Sequence, residues 1–189
     1  LTFEEDTAMF VKLSQGKVKI DRELEARLYR RTWETLEENG YAQYETSNFA
    51  RTGHACRHNL ITWEMGAWIG YGPSASSQWG ARRWTNPANL EQWIKGIEAS
   101  QPVLEQVKDL SAADLLCDAL VFGLRLNAGV NPAALAARFA TPLPARVTHL
   151  FEALVEEGLM EAAGTQVRLT GEGRMRADAV GVSILERFD

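Results

Sequence analysis

From residue 110 to the C-terminus, helix-start and helix-stop signals fall so close together that they leave room for only one order of elements. Ser111-Ala112-Ala113-Asp114 is a capping box with Asp in place of the usual Glu or Gln, and it predicts a helix running to about residue 126. Asn131-Pro132 supplies a cap and a proline for the first turn of a second helix. Pro144 opens a third, which stops before Gly158. Residues 159–162 and 166–169 then read as two short strands joined through Ala163-Gly164-Thr165, and Thr170 caps a last helix. The segment carries its own apolar set, including Leu115, Leu120, Phe122, Leu135, Phe139, Val147, Leu150, Leu154, Leu159, Val167 and Leu169. About eighty residues suffice for a modest independent core.

Three helices, a β-hairpin and a closing helix make a winged-helix-like arrangement, which raises DNA binding as a function class. Its third helix would be the reader, yet it carries Arg146 as its one permanent cation against Glu152, Glu156 and Glu157. From Leu110 onward there are seven arginines and no lysine against ten acidic residues. A surface that tracks phosphates is basic, so no nucleic-acid partner is expected and the segment reads as a lid or docking module.

The first 109 residues are built differently. All six tryptophans lie there, while no Trp, Tyr or Lys follows Lys108. Residues 21–39 predict an amphipathic helix with Asp21 as cap, Leu24, Leu28 and Leu36 on one face, and Gly40 as stop. Residues 41–45 follow at once as a strand, the second half of a parallel β/α unit. Residues 46–59 are polar and aperiodic and read as a long loop, a length that is often functional. A short apolar stretch, residues 60–63, follows. Residues 68–77 predict a strand ending in a glycine-rich turn, and Asn86-Pro87 opens a helix to about residue 99. The expected class is α+β, with domains at 1–109 and 110–189.

Two cysteines, Cys56 and Cys117, are too few for a secreted scaffold of this size and point to the cytoplasm. No apolar run approaches the roughly eighteen residues of a membrane span. The chain opens Leu1-Thr2-Phe3-Glu4-Glu5-Asp6, without an initiator Met, on what reads as the end of a strand. It is expected to be a piece of a longer protein.

The 46–59 stretch concentrates the candidate chemistry. His54, Cys56 and His58 alternate, so an extended segment would turn all three to one side, as a metal site requires. Zinc wants four ligands in a structural site, and the remaining histidine, His149, lies in the other half. A Cys–His nucleophilic pair lacks any evident third group to orient it. Gly70-x-Gly72 is too short for a dinucleotide fingerprint and fits equally a turn that needs glycine. Trp33 and Trp93 read as packing residues, and Arg82-Arg83-Trp84 as a solvated turn.

Four segments in their order and spacing carry a family likeness. They are Tyr44-Glu45-Thr46-Ser47-Asn48-Phe49-Ala50, Gly53-His54-Ala55-Cys56-Arg57-His58-Asn59, Gly70-Tyr71-Gly72-Pro73-Ser74-Ala75, and Phe122-Gly123-Leu124-Arg125-Leu126 with Gly129-Val130. Together they resemble the C-terminal half of oxygen-independent coproporphyrinogen III oxidase-like radical-SAM proteins. His58-Asn59-Leu60-Ile61-Thr62-Trp63 resembles the HNxxYW signature of the HemW-type heme-chaperone branch, with Thr62 where the pattern has Tyr.

The resemblance implies the end of an incomplete (β/α) barrel followed by a winged-helix-like domain. It implies heme as ligand, with His58 on the iron and Arg57, Asn59 and Trp63 around the porphyrin. Arg51 joins Arg57 as a candidate partner for propionates. Transfer to heme-acceptor proteins follows from the same likeness, the alternative being oxidation of coproporphyrinogen propionates. In the intact protein it implies S-adenosylmethionine, approached by Gly70, Gly72, Ser74 and Ala75, and a 4Fe–4S cluster on an upstream CxxxCxxC loop. Two distant cysteines cannot supply such a cluster, so its ligands are absent from this chain, which alone should perform no radical chemistry. Strands meant for parallel neighbours would leave an open edge. The chain is therefore expected to self-associate or to rearrange residues 46–77.

Overall fold

The structure, a computed structural model, describes residue 5 and residues 7–188, so the strand end expected at residues 1–3 lies outside the described residues. The chain divides into two compact units, one ending at Gly40 and one beginning at Tyr41.

In the first unit, α1 (Ala8–Ser14) precedes α2 (Arg22–Glu38). The Asp21 carboxylate accepts the Leu24 amide as the cap that the sequence predicts, and Glu23 and Glu25 favour the positive end of the helix.

The second unit opens with β1 (Ala42–Glu45), which turns straight back into β2 (Asn48–Ala50) as an antiparallel pair. The parallel neighbour expected for this strand is not found among the described residues. The cause is local: Glu45 Oε1 accepts the Ser47 amide at 3.2 Å and the Asn48 side-chain amide at 2.5 Å, folding the intervening residues into a turn. The expected long loop is thus shortened from both ends, by β2 and by α3 (Arg57–Trp63).

A three-stranded antiparallel sheet follows, β3 (Ser76–Trp79), β4 (Arg82–Thr85) and β5 (Glu105–Asp109). Only the last part of the strand predicted over 68–77 is β3, because Gly72 and Ser74 adopt φ of +97° and +59°, which an extended strand excludes. The expected Asn86 cap is spent elsewhere, since its amide nitrogen reaches the carbonyls of Gly70 and Gly72. Asn89 caps α4 (Leu90–Glu98) instead, accepting the Gln92 amide.

The C-terminal part follows its punctuation closely. The Ser111–Asp114 capping box is present, and it starts α5 (Ala112–Gly123). Asn131 caps α6 (Pro132–Arg138), and α7 (Ala145–Glu156) stops before Gly158. β6 (Met160–Ala163) and β7 (Gln166–Leu169) form the hairpin. Thr170 caps only a single turn, α8 (Gly171–Arg174), and the chain restarts as α9 (Ala177–Leu185).

Leu116, Leu120, Val147 and Ile184 are fully buried and form one core with Phe151, Leu154, Met160, Leu169 and Val180. Each contributes roughly 1.5–3 kcal/mol by leaving water. The boundary expected at residue 109 lies inside this unit, and several bonds cross it. Thr46 donates both its amide and its hydroxyl to the Arg125 carbonyl. The Asn127 amide reaches the Tyr44 carbonyl at 3.1 Å, and Arg83 pairs with Asp118 at 2.8 Å. No helix among the described residues is long and apolar enough to cross a membrane.

Candidate functional site

The His-Asn-Leu-Ile-Thr-Trp run is helical, and this decides what its residues can reach. Positions four apart share a face of a helix. Asn59 and Trp63 therefore lie together on the inner side of α3, whereas His58 and Thr62 lie together on another. On the inner side, Asn59 donates to the Tyr44 hydroxyl at 3.3 Å. The half-buried Trp63 ring meets Phe122 edge-on at 5.9 Å, and the Arg125 guanidinium lies 5.4 Å above it. Asp178 of α9 holds Arg125 at 2.5 Å. The Trp63 indole N–H is buried and has no hydrogen-bond partner among the described residues.

His58 stands exposed in the first turn, beside the exposed Arg57 and one turn before the exposed Ile61. The Thr62 hydroxyl bonds back to the His58 carbonyl at 3.0 Å, so it serves the helix backbone where the resembling pattern has a phenol. Helical backbone also dissolves the alternation expected of His54, Cys56 and His58. Among the described residues, no group of three or more His, Cys, Asp or Glu is placed to hold a metal ion. Cys56 is exposed and precedes the helix as its N-cap without a side-chain capping bond, while Cys117 is buried in the core. Arg51 is stacked on the Tyr41 ring at 5.1 Å.

Gly70 to Ala75 forms a tight turn. A Cβ on Gly70 would come within 2.3 Å of the Ser76 carbonyl, so glycine is required there by contact alone. The Gly70 amide donates to Ser77 Oγ, the Ser74 amide to the Pro87 carbonyl and the Ala75 amide to the Gly72 carbonyl. These amides are turned inward, so the turn as folded presents none of them to a ligand. Beside it runs an open cleft of about 300 Å³, lined by Gly70, Gly72, Trp84, Trp93, Ile97 and Leu104. Arg83, read from sequence as part of a solvated turn, instead reaches inward to the buried Gln78 and to Asp118.

Sequence reasoning missed the residues that hold α3. Arg138 of α6 donates to the carbonyls of Glu64 and Met65 at 2.9 Å each. Glu45 is fully buried, with Oε1 occupied and Oε2 unpartnered among the described residues. Glu45 and Arg125 lie in the segments that carry the family likeness, which was the available signal; nothing local marks Arg138.

Residues 110–176 match a family model described as the HemN C-terminal domain. The chain is 31% identical to the heme chaperone HemW of Mycobacterium tuberculosis over 98% of its own length and 46% of that protein. It is 26% identical to HemW of Bacillus subtilis, covering 95% of the chain and 48% of the relative. It is also 31% identical to the mitochondrial radical S-adenosyl methionine domain-containing protein 1 of Bos taurus, over 100% of the chain and 45% of that protein. Among solved structures, the Escherichia coli coproporphyrinogen III oxidase HemN, described as a radical SAM enzyme, matches with a TM-score of 0.68 at 17% identity, over 91% of this chain and 44% of that one. The chain belongs to the coproporphyrinogen III oxidase-like radical-SAM family, on its HemW-type branch. It spans about half the length of the curated relatives it matches.

Proposed function

We propose that this chain is the heme-presenting part of a heme-chaperone-type protein, with His58 as the axial ligand. One observation carries the reading: the inner side of α3 is fixed by Asn59 and Trp63, while His58 is left exposed on a helix that cannot easily turn. An imidazole in that position meets heme iron without any rearrangement of the core. Arg57 beside it suits a propionate. Asn59 and Trp63, first read as porphyrin contacts, act in this proposal by holding the helix.

A heme held on an exposed helix is open on its far side, which suits release to an acceptor protein. The chaperone reading is preferred to coproporphyrinogen oxidation because relatives that match nearly the whole chain bear the chaperone name. S-adenosylmethionine and a 4Fe–4S cluster are proposed for the intact protein only. The cluster would need thiolates that this sequence lacks. The Gly70, Ser74 and Ala75 amides are engaged within the fold, so an approach of Gly70, Gly72, Ser74 and Ala75 to S-adenosylmethionine is proposed for the intact protein only, and we derive no step through that group. The helix, hairpin and helix order of residues 110–189 fits the winged-helix-like reading, and the fold ahead of it fits a barrel's end. The cytoplasm remains the proposed location.

The test is a hemin titration of the chain followed by its Soret band, with His58→Ala beside His54→Ala and Cys56→Ser. Loss confined to His58→Ala supports the assignment. Loss only in a neighbour moves the ligand along the chain, and no loss in any of the three removes heme ligation from this segment.

A further inference from the structure

α3 is a helix whose own sequence works against it. Seven residues are too few for autonomous stability in water, where an isolated helix needs about 12–15. Cys56 at the N-cap makes no side-chain capping bond. The first turn holds no acid but begins with Arg57, and the last turn holds no base but ends at Glu64. Both charges are the wrong way round for the helix dipole. The helix closes with Gly66 bonded to the Ile61 carbonyl and Met65 bonded to the Thr62 carbonyl, with Met65 at a φ of +57° that normally calls for glycine. Something outside α3 must compensate.

Arg138 does so. Its guanidinium sends one nitrogen to the Glu64 carbonyl and another to the Met65 carbonyl, both at 2.9 Å, across 74 and 73 residues of sequence respectively. This places a permanent positive charge against the negative end of the dipole and satisfies two carbonyls at once, a geometry for which the rigid arginine fork is preorganised and a lysine ammonium on its flexible stem is not. The Arg138 side chain also lies 4.9 Å from the Phe139 ring, which restrains it. We infer that Arg138 is a positioning residue: it caps α3 from within the HemN C-terminal domain segment and so fixes the helix that displays His58. That segment is then a support of the site, where its winged-helix-like order alone suggested a lid or docking module. The effect on heme rests on the reading of His58 given above, whereas the effect on α3 does not.

The test uses the whole chain. Hydrogen exchange of residues 57–66 is measured without heme in the parent, Arg138→Ala, Arg138→Lys and the control Arg146→Ala on α7. Loss of two charge-assisted bonds should speed exchange there by about tenfold or more in Arg138→Ala, leaving α5 and α7 protected. Arg138→Lys should be intermediate and Arg146→Ala unchanged. Hemin affinity should fall roughly threefold or more in Arg138→Ala, with an altered Soret band. Exchange within twofold of the parent overturns the inference. So does unchanged heme affinity in Arg138→Ala when His58→Ala loses binding. If His58→Ala binds as well as the parent, the heme reading falls and the exchange result alone decides whether Arg138 positions α3. If Arg138→Ala loses protection throughout α5 and α7, Arg138→Lys must show loss confined to residues 57–66; a general loss there too overturns the inference.

Discussion

Gly70→Ala separates a glycine needed for packing from one needed for a ligand. The added methyl would start 2.3 Å from the Ser76 carbonyl and 2.8 Å from Ala75 Cβ, so the backbone must move by nearly an ångström. Two bonds lie in its path, Gly70 N–H to Ser77 Oγ at 2.9 Å and Asn86 Nδ2 to the Gly70 carbonyl at 3.1 Å. Ser77 is fully buried, so its hydroxyl finds no water when that donor leaves. At about 1 kcal/mol for a lost bond and about 1–3 kcal/mol for a stranded buried group, the change should cost roughly 2–4 kcal/mol. For a chain of this size that lowers the melting midpoint by roughly 5–15 °C. Gly72→Ala is the internal comparison. Nothing lies within 4 Å of its added methyl, and only the φ of +97° opposes it, at roughly 1–2 kcal/mol. Thermal unfolding by circular dichroism should therefore rank Gly70→Ala well below Gly72→Ala, with both below the parent. A Gly70→Ala midpoint within about 2 °C of the parent, or a larger loss in Gly72→Ala, would refute the contact argument.

Trp63→Ala should lower stability by about 2–4 kcal/mol in urea unfolding, since it strips the inner face of α3 from Phe122 and Arg125. Asp114 is held below the usual carboxylate range by the Ser111 amide and then the Ser111 hydroxyl, so the capping box adds stability above the unfolded value and loses it as pH falls through the lower folded one. Asp114→Asn should accordingly cost about 1 kcal/mol at neutral pH, and its unfolding curve should merge with the parent's in strong acid. Residues 110–189 expressed alone should melt cooperatively, because the core from Leu116 to Ile184 lies wholly within them. That midpoint should fall below the full chain's for want of the bonds from Thr46 and Arg83, and duplex DNA should leave it unmoved at physiological salt.

Legibility followed how local the determinant was. Ser111–Asp114, Asn131-Pro132, Gly158 and Thr170 act within four residues, and each stands where its chemistry predicts. Asn86 failed as a cap because distant carbonyls of Gly70 and Gly72 compete for its side chain, which no local rule reveals. β4 and β5 escaped notice because Arg82–Thr85 and Glu105–Asp109 are short and carry charges without a clear alternation, and they become strands by pairing across the sheet, β4 with both β3 and β5. The polar texture of residues 46–59 hid β2 and the start of α3 for the same reason: α3 is held by Tyr44, Phe122, Arg125 and Arg138, none of which is near it in sequence. His58 was legible as a candidate through its motif, but its separation from Asn59 and Trp63 on the helix was not.

The central claim is that His58 binds heme iron, and the direct measurement is pulsed electron paramagnetic resonance of the ferric heme complex made with ¹⁵N-labelled histidine. The chain has three histidines, so single-site variants assign the coupling without ambiguity. The account predicts a ¹⁵N coupling to iron in the parent, in His54→Ala and in His149→Ala, and its absence in His58→Ala. A coupling that persists in His58→Ala, or that disappears in His54→Ala instead, would contradict it.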